Sequence, residues 1–348
     1  SKMDKKHIKI MISGGAGQIS YSLIPLICSG QVFGSNVKLD IKLYDILPMK
    51  DKLEGVKMEI KDSCFPLVNN ITTTVNGEIA FADVDYVVLL GGFPRKPGML
   101  RSDLIQKNVN IFKTAGKFLE EFSPEHVKVL VVANPANTNC SICMKNAPKI
   151  PKSSFTCLTM LDHDRLKNAL ADKLILHKNV IGLPSNFTPL DIKNVIIWGN
   201  HSETMVPDIS HAKIFIQNNW LNLFDIEHIK DILTNEWINN ELTPLIKQRG
   251  KSVISKRKLS SAMSAAQSIA RHIKFLHSGT IDGEYVSMGI CSDNKYDLPN
   301  DLIFSLPVQI KDGTINSVDR LLNVDIQENF NNTLQELQNE FNISNKIL

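Results

Sequence analysis

The sequence contains no hydrophobic run long enough to span a bilayer, so a membrane-embedded protein is not expected. It has almost no charge imbalance: the net charge of +3 is too small for the electrostatic footprint of a nucleic-acid binder. Six cysteines in 348 residues cannot make a disulfide framework. Cys140 and Cys143 form the one close pair. No second pair or histidine cluster completes a zinc site, so no metal is expected. The pair reads as two half-buried thiols on a helix. Ser1–Lys6 is polar and has no signal-peptide core. Repeats and low-complexity segments are missing as well. What remains is 43% hydrophobic and 22% charged, ordinary for a globular chain of two domains or one large one.

The most informative stretch is Ile8–Ser20. Ile8, Ile10 and Ile12 alternate as in a strand, glycines follow at 14, 15 and 17, and Ile19, Leu23 and Leu26 have helical spacing. In a strand–glycine–helix unit, Gly14 permits a turn that a Cβ would obstruct. Gly17 lets the chain pass close to a pyrophosphate at the positive end of the next helix. A tight turn that binds nothing gives the same pattern, so the glycines alone do not decide. Asp45 closes a second alternating strand, Asp40–Asp45, where a carboxylate can accept both ribose hydroxyls. No Arg follows it directly to hold a 2′-phosphate, which points to NAD rather than NADP. The interval from Gly17 to Asp45 is longer than usual, as if the first helix runs on into 29–38. Pro25 inside that helix predicts a kink.

Val84–Leu90 and His126–Ala133 are continuous apolar runs, as in strands buried on both faces. Joined by helices, they give an α/β fold with an N-terminal Rossmann-type doubly wound parallel sheet. Cofactor contacts then belong at strand C-termini: Gly14 to Gly17, Asp45, Gly91-Gly92 and Asn134-Pro135. Residues 91–108 hold Arg95, Lys96 and Arg101 between glycines and prolines, as in a lid that closes with guanidinium groups inside. A solvated basic loop is the alternative. The proline- and lysine-rich stretch 147–154 suggests a boundary, with an NAD-binding domain over 1–153 and an α+β substrate domain over 154–348. In the second half, Leu158–Leu176, Leu221–Leu242 and Leu259–Leu276 read as helices. The last helix, with Phe330, Leu334, Leu337 and Phe341 on one stripe, reads as packing only.

That half also holds acid–base chemistry. Hydride exchange at a carbon bearing a hydroxyl needs a proton carrier, and His titrates in the right range. His201 ends the strand at Trp198, and Asp162 and Arg165 lie in the run Asp162-His-Asp-Arg165. A carboxylate fixes the imidazole tautomer, and an Arg holds a carboxylate through two parallel hydrogen bonds. The three fit those jobs, although spacing alone does not bring them together.

The chain resembles the cytosolic-type malate dehydrogenase branch of the lactate/malate dehydrogenase superfamily over nearly its whole length. The likeness rests on Gly14–Ile19, Asp45-Ile46, Pro94–Arg101, Asn134–Cys140, Leu161–Arg165, Asn194–Ser202, Arg257–Ala266 and Gly283–Gly289. It implies NAD-dependent interconversion of malate and oxaloacetate by a cytoplasmic homodimer. It also implies roles: His201 as proton donor and acceptor, with Asp162 orienting it. Arg165 would clamp the C1 carboxylate, Arg101 polarise the ketone, and Arg95 bind the second carboxylate. Gly14, Gly17, Gln18, Ile19, Asp45, Gly91 and Asn108 would hold the cofactor, Asn134 both cofactor and substrate, and Ser260 and Ser261 the nicotinamide side. Pro135 follows a cis peptide bond in relatives. Departures are Met160 for a common Arg, Gly92-Phe93 for Ser-Met, and Gly15 for Ala. Lactate dehydrogenase is the nearest rival, and Arg95 argues against it. A short-chain reductase would need Tyr-x-x-x-Lys, which no tyrosine here provides.

Overall fold

The computed structural model describes residues 7–347, and the polar start at residues 1–6 lies outside them. Six parallel strands form the heart of the fold: β1 (His7–Ser13), β2 (Lys38–Tyr44), β3 (Val68–Thr74), β4 (Tyr86–Leu89), β5 (Lys128–Val131) and β6 (Phe155–Cys157). Their order is β3-β2-β1-β4-β5-β6, so the direction of winding reverses between β1 and β4. That reversal opens a crevice at the strand C-termini. β4 is buried along its whole length and β2 alternates buried with half-exposed positions, as central and outer strands do.

The second half adds β7 (Ile192–Lys193), β8 (Ile196–Trp198), β9 (Val206–Asp208), β10 (Lys213–Ile216), β11 (Asn219–Asn222), β12 (Val286–Cys291), β13 (Ile303–Lys311) and β14 (Thr314–Ser317). β12, antiparallel to β6, carries β13 and β14, so a single nine-stranded sheet runs through both halves. The sixth parallel strand, β6, lies beyond residue 153, where the proline-rich stretch suggested a boundary. That stretch connects α5 (Ala136–Lys145) to β6.

The helices are α1 (Gln18–Cys28), α2 (Lys50–Asp62), α3 (Gly77–Phe81), α4 (Arg101–Phe122), α5 (Ala136–Lys145), α6 (Met160–Leu176), α7 (Lys178–Ile181), α8 (Ile229–Ile232), α9 (Asn235–Trp237), α10 (Thr243–Arg257), α11 (Met263–Ser278) and α12 (Gln327–Ile347). Three expectations change. α1 stops at Cys28, and turns with Gly30 and Gly34 at positive φ fill the interval before β2. The stretch Leu221–Leu242 is not one helix: β11, α8, α9 and a π turn divide it, with His228 in the left-handed region. Cys140 and Cys143 are fully buried in α5, and burial pushes both thiols up. Met160 is also in the core, at 1% exposure. No described helix is long and apolar enough to cross a membrane.

Candidate active site

The β1–β4 pairing decides where the glycine turn sits. Ser13 is in register with Leu89, so Gly14 and Gly91 emerge side by side. Gly14 has φ +66°, and a Cβ there would lie 2.9 Å from the Gly91 nitrogen. The two strand ends therefore meet backbone to backbone, leaving a cradle that any side chain would fill. Gly17 caps α1, Gln18 is its exposed first residue, and Ile19 packs on the core. Asp45 ends β2 beside this turn: one carboxylate oxygen accepts from the Ala16 N–H at 3.1 Å, the other from Ile46 at 2.8 Å. A groove of about 590 Å³ runs from Gly14 past Asp45, Gly91 and Gly92 to Phe93 and the flank of α4. A narrow glycine cradle at a helix N-terminus, with a carboxylate at the next strand end, fits a dinucleotide.

The ends of the remaining strands carry further polar groups. Asn134 follows β5 and is exposed, and its bond to Pro135 is cis. β6 leads into α6, whose first turn carries Asp162, with no exposed surface, and whose second carries Arg165. β8 leads through Gly199 (φ +97°) to His201. Chain segments 39 residues apart thus converge: His201 Nδ1 lies 2.5 Å from Asp162 Oδ2. With Nδ1 held, Nε2 is the ring nitrogen left for chemistry. The other Asp162 oxygen lies 3.9 Å from Arg165 Nη1, and Arg165 Nη2 donates to Ser261 at 3.0 Å. Burial lowers the Arg165 guanidinium, Asp162 opposes that, and Arg249 adds to it.

The platform beneath His201 is buried and hydrogen-bonded. Asn137 accepts from the His201 N–H at 3.0 Å and donates to the carbonyls of Gly199 and Ile303. Trp198 is fully buried, packs edge-on against Tyr296 and Phe330, and donates to Asp208 at 2.9 Å. Truncating a core Trp to Ala costs about 3–5 kcal/mol.

The lid stretch is irregular from 91 to 100, and from Arg101 onward it is helix α4. Arg95 is exposed, and its charge contributes to lowering the Glu203 carboxyl, after the larger effect of Lys251. Glu203 lies two residues beyond His201. Lys96 instead lies over the Phe93 ring, 5.3 Å from its centroid. Arg101 opens α4 and pairs through Nε with Glu340 of α12. A cation at a helix N-terminus opposes the helix dipole, so this placement is held by its partners.

Asn108 differs from expectation. It is fully buried, accepts from the Phe93 N–H at 2.9 Å, and donates to the carbonyls of Phe93 and Leu104. Its carboxamide is spent on anchoring the lid's root rather than turned to the groove. Sequence reading passed over three groups: Asn137, Glu336 and Glu340. The first lies inside the Asn134–Cys140 run. The two glutamates had no local signal beyond their spacing on α12.

A dinucleotide cradle in the first half and a His–Asp pair in the second together define an NAD-dependent oxidoreductase. Residues 8–156 match the lactate/malate dehydrogenase NAD-binding domain, and residues 159–347 match the lactate/malate dehydrogenase alpha/beta C-terminal domain. The chain belongs to the lactate/malate dehydrogenase family. It is 45% identical to a cytoplasmic malate dehydrogenase of Rattus norvegicus, over 96% of each chain. A malate dehydrogenase structure from Naegleria fowleri superposes with TM-score 0.86 at 38% identity, covering 98% of this chain and 99% of that one. A Trichomonas vaginalis lactate dehydrogenase in complex with NADH and oxamate superposes with TM-score 0.88 at 32% identity, covering 98% of both.

Proposed function

We propose that the chain is a malate dehydrogenase, reversibly converting (S)-malate and NAD+ to oxaloacetate and NADH. The observation that carries this reading is the Asp162–His201 contact with Arg165 beside it, under a lid that brings two further arginines. Bound NADH supplies the hydride. His201 Nε2 gives the ketone oxygen its proton in reduction and takes it back in oxidation, while Asp162 fixes the tautomer and stabilises the imidazolium. Arg165 clamps the C1 carboxylate with its fork, and Arg101 polarises the ketone. Arg95 meets the second carboxylate when the lid closes. Gly14, Gly17, Gln18, Ile19, Asp45 and Gly91 would hold the cofactor, and Asn134 would serve both cofactor and substrate.

The fold does not separate malate from lactate chemistry, because one close structural match is a lactate dehydrogenase. Arg95 favours the dicarboxylate, since a pyruvate methyl group has nothing to offer a guanidinium. We also assign a cofactor half ending near residue 153, a cytoplasmic setting after the names of the relatives, and a homodimer. Tyr21 on α1 and Met263 on α11 are large side chains left exposed, which supports a subunit contact there. Sedimentation equilibrium would return twice the chain mass. Oxidation of NADH by purified protein with oxaloacetate and, separately, with pyruvate tests the activity. Turnover of oxaloacetate is expected, and none with either acid would refute it.

A further inference from the structure

α12 was expected to do nothing but pack. Its apolar stripe does so, with Phe330 and Leu337 buried. Yet Glu336 and Glu340, one turn apart, point inward towards the active site. Like charges at this spacing weaken a helix, and Glu340 is only 4% exposed. Such a pair persists only if donors surround it. They do. Glu336 Oε1 accepts from Asn200 at 2.7 Å and from Thr204 at 3.0 Å. Glu340 Oε2 accepts from Asn200 at 3.0 Å and from Thr138 at 3.2 Å. Glu340 Oε1 takes the Nε–H of Arg101, 239 residues away in sequence.

The choice of nitrogen matters. An Arg has five N–H donors in a planar fork. Glu340 takes the one nearest the chain, and Arg101 Nη2 is buried with no hydrogen-bond partner. The guanidinium is thus held by its stem while its tip is unspent. Asn200, which bonds both glutamates, is the residue before His201.

We propose that Glu340 is a positioning residue for Arg101. It fixes the guanidinium plane so that the terminal nitrogens meet the substrate's carbonyl oxygen. Through Asn200 it ties that aim to the loop bearing His201. This inference rests on the role proposed for Arg101. It differs from a purely structural ion pair, which would alter stability and leave turnover alone.

The test is a double-mutant cycle of Glu340→Gln with Arg101→Leu, reading kcat and KM for oxaloacetate, NADH affinity by fluorescence, and Tm. Glu340→Gln should lower kcat at least tenfold with NADH affinity unchanged. In the Arg101→Leu background the same change should move kcat less than twofold, because nothing remains to aim. Equal losses in both backgrounds, or no loss in kcat whatever happens to Tm, would overturn the proposal. If Glu340→Gln does not bind NADH, Glu340→Asp, which withdraws the carboxylate by one methylene, goes through the same cycle, and either of those two results would overturn the proposal there too. If the wild type reduces pyruvate and not oxaloacetate, the proposed function fails. The cycle is then run with pyruvate, which presents the same ketone to Arg101.

Discussion

Replacing Asp162 by Asn removes a charge and almost no volume. Its carboxylate has no exposed surface and lies 2.5 Å from His201 Nδ1, so the ring's charge and the carboxylate's are about 4 Å apart. At an effective dielectric constant of about 20, that separation is worth about 4 kcal/mol to the imidazolium. The imidazolium forms when His201 takes the alcohol proton, so malate oxidation loses this stabilisation in the transition state. At 1.36 kcal/mol per tenfold, kcat should fall by about three orders of magnitude. Arg165 loses a neighbouring anion at 3.9 Å, which leaves its fork freer for substrate, so KM for malate should not rise. NADH formation from malate, with NADH affinity measured separately to confirm folding, reads both effects. An Asp162→Asn enzyme within tenfold of wild-type kcat would refute the geometry's assigned role.

Three further outcomes follow from particular groups. Asp45→Ser should weaken NADH binding and narrow the gap to NADPH, as measured by cofactor fluorescence; equal use of both cofactors by the wild type would contradict the assignment. His272 is fully buried, and burial brings it down to about 3, while His163 is buried and brought well below its usual value. Both therefore stay neutral in the fold while the unfolded chain takes up protons below about pH 6.5, so stability is lost as pH falls from there, by about 2 kcal/mol at pH 5 for His272 alone. In His272→Gln the drop in unfolding free energy between pH 7 and 5 should shrink by that amount, and an unchanged drop would contradict it. His201→Gln should abolish most turnover and keep NADH affinity, and full activity would sink the proton-transfer role.

Much of this was readable because local pattern and tertiary role coincide in the first half. β4 is apolar throughout and β5 apolar after Lys128 since both faces are covered, and Gly14 and Asp45 stand at strand ends. The acid–base residues could be named from their chemistry, but their meeting could not. Asp162 and His201 arrive on α6 and after β8, and tertiary packing sets their distance, through the Gly199–Ser305 pairing and the Asn137 bonds. The stretch Leu221–Leu242 misled because its apolar residues serve several short elements around one core rather than one helix face. α10 escaped notice because only Ile246 is buried on it, so it has no stripe to read. Glu340 reads from sequence as a solvated helix charge, since nothing local reveals that Arg101 and Asn200 close over it.

Substrate choice is tested most directly by the ratio of kcat/KM for oxaloacetate to that for pyruvate in the wild type, Arg95→Leu and Lys96→Ala. Closing the lid on pyruvate would bury the Arg95 guanidinium without a partner, at a cost of about 2–5 kcal/mol. The wild-type ratio should therefore favour oxaloacetate by about 30- to 5,000-fold. Arg95→Leu should collapse that ratio with NADH affinity intact, and Lys96→Ala, whose ammonium sits on Phe93, should hold it within a few-fold. A wild type that turns over pyruvate as readily as oxaloacetate, or a ratio lost with Lys96→Ala and kept with Arg95→Leu, would contradict it.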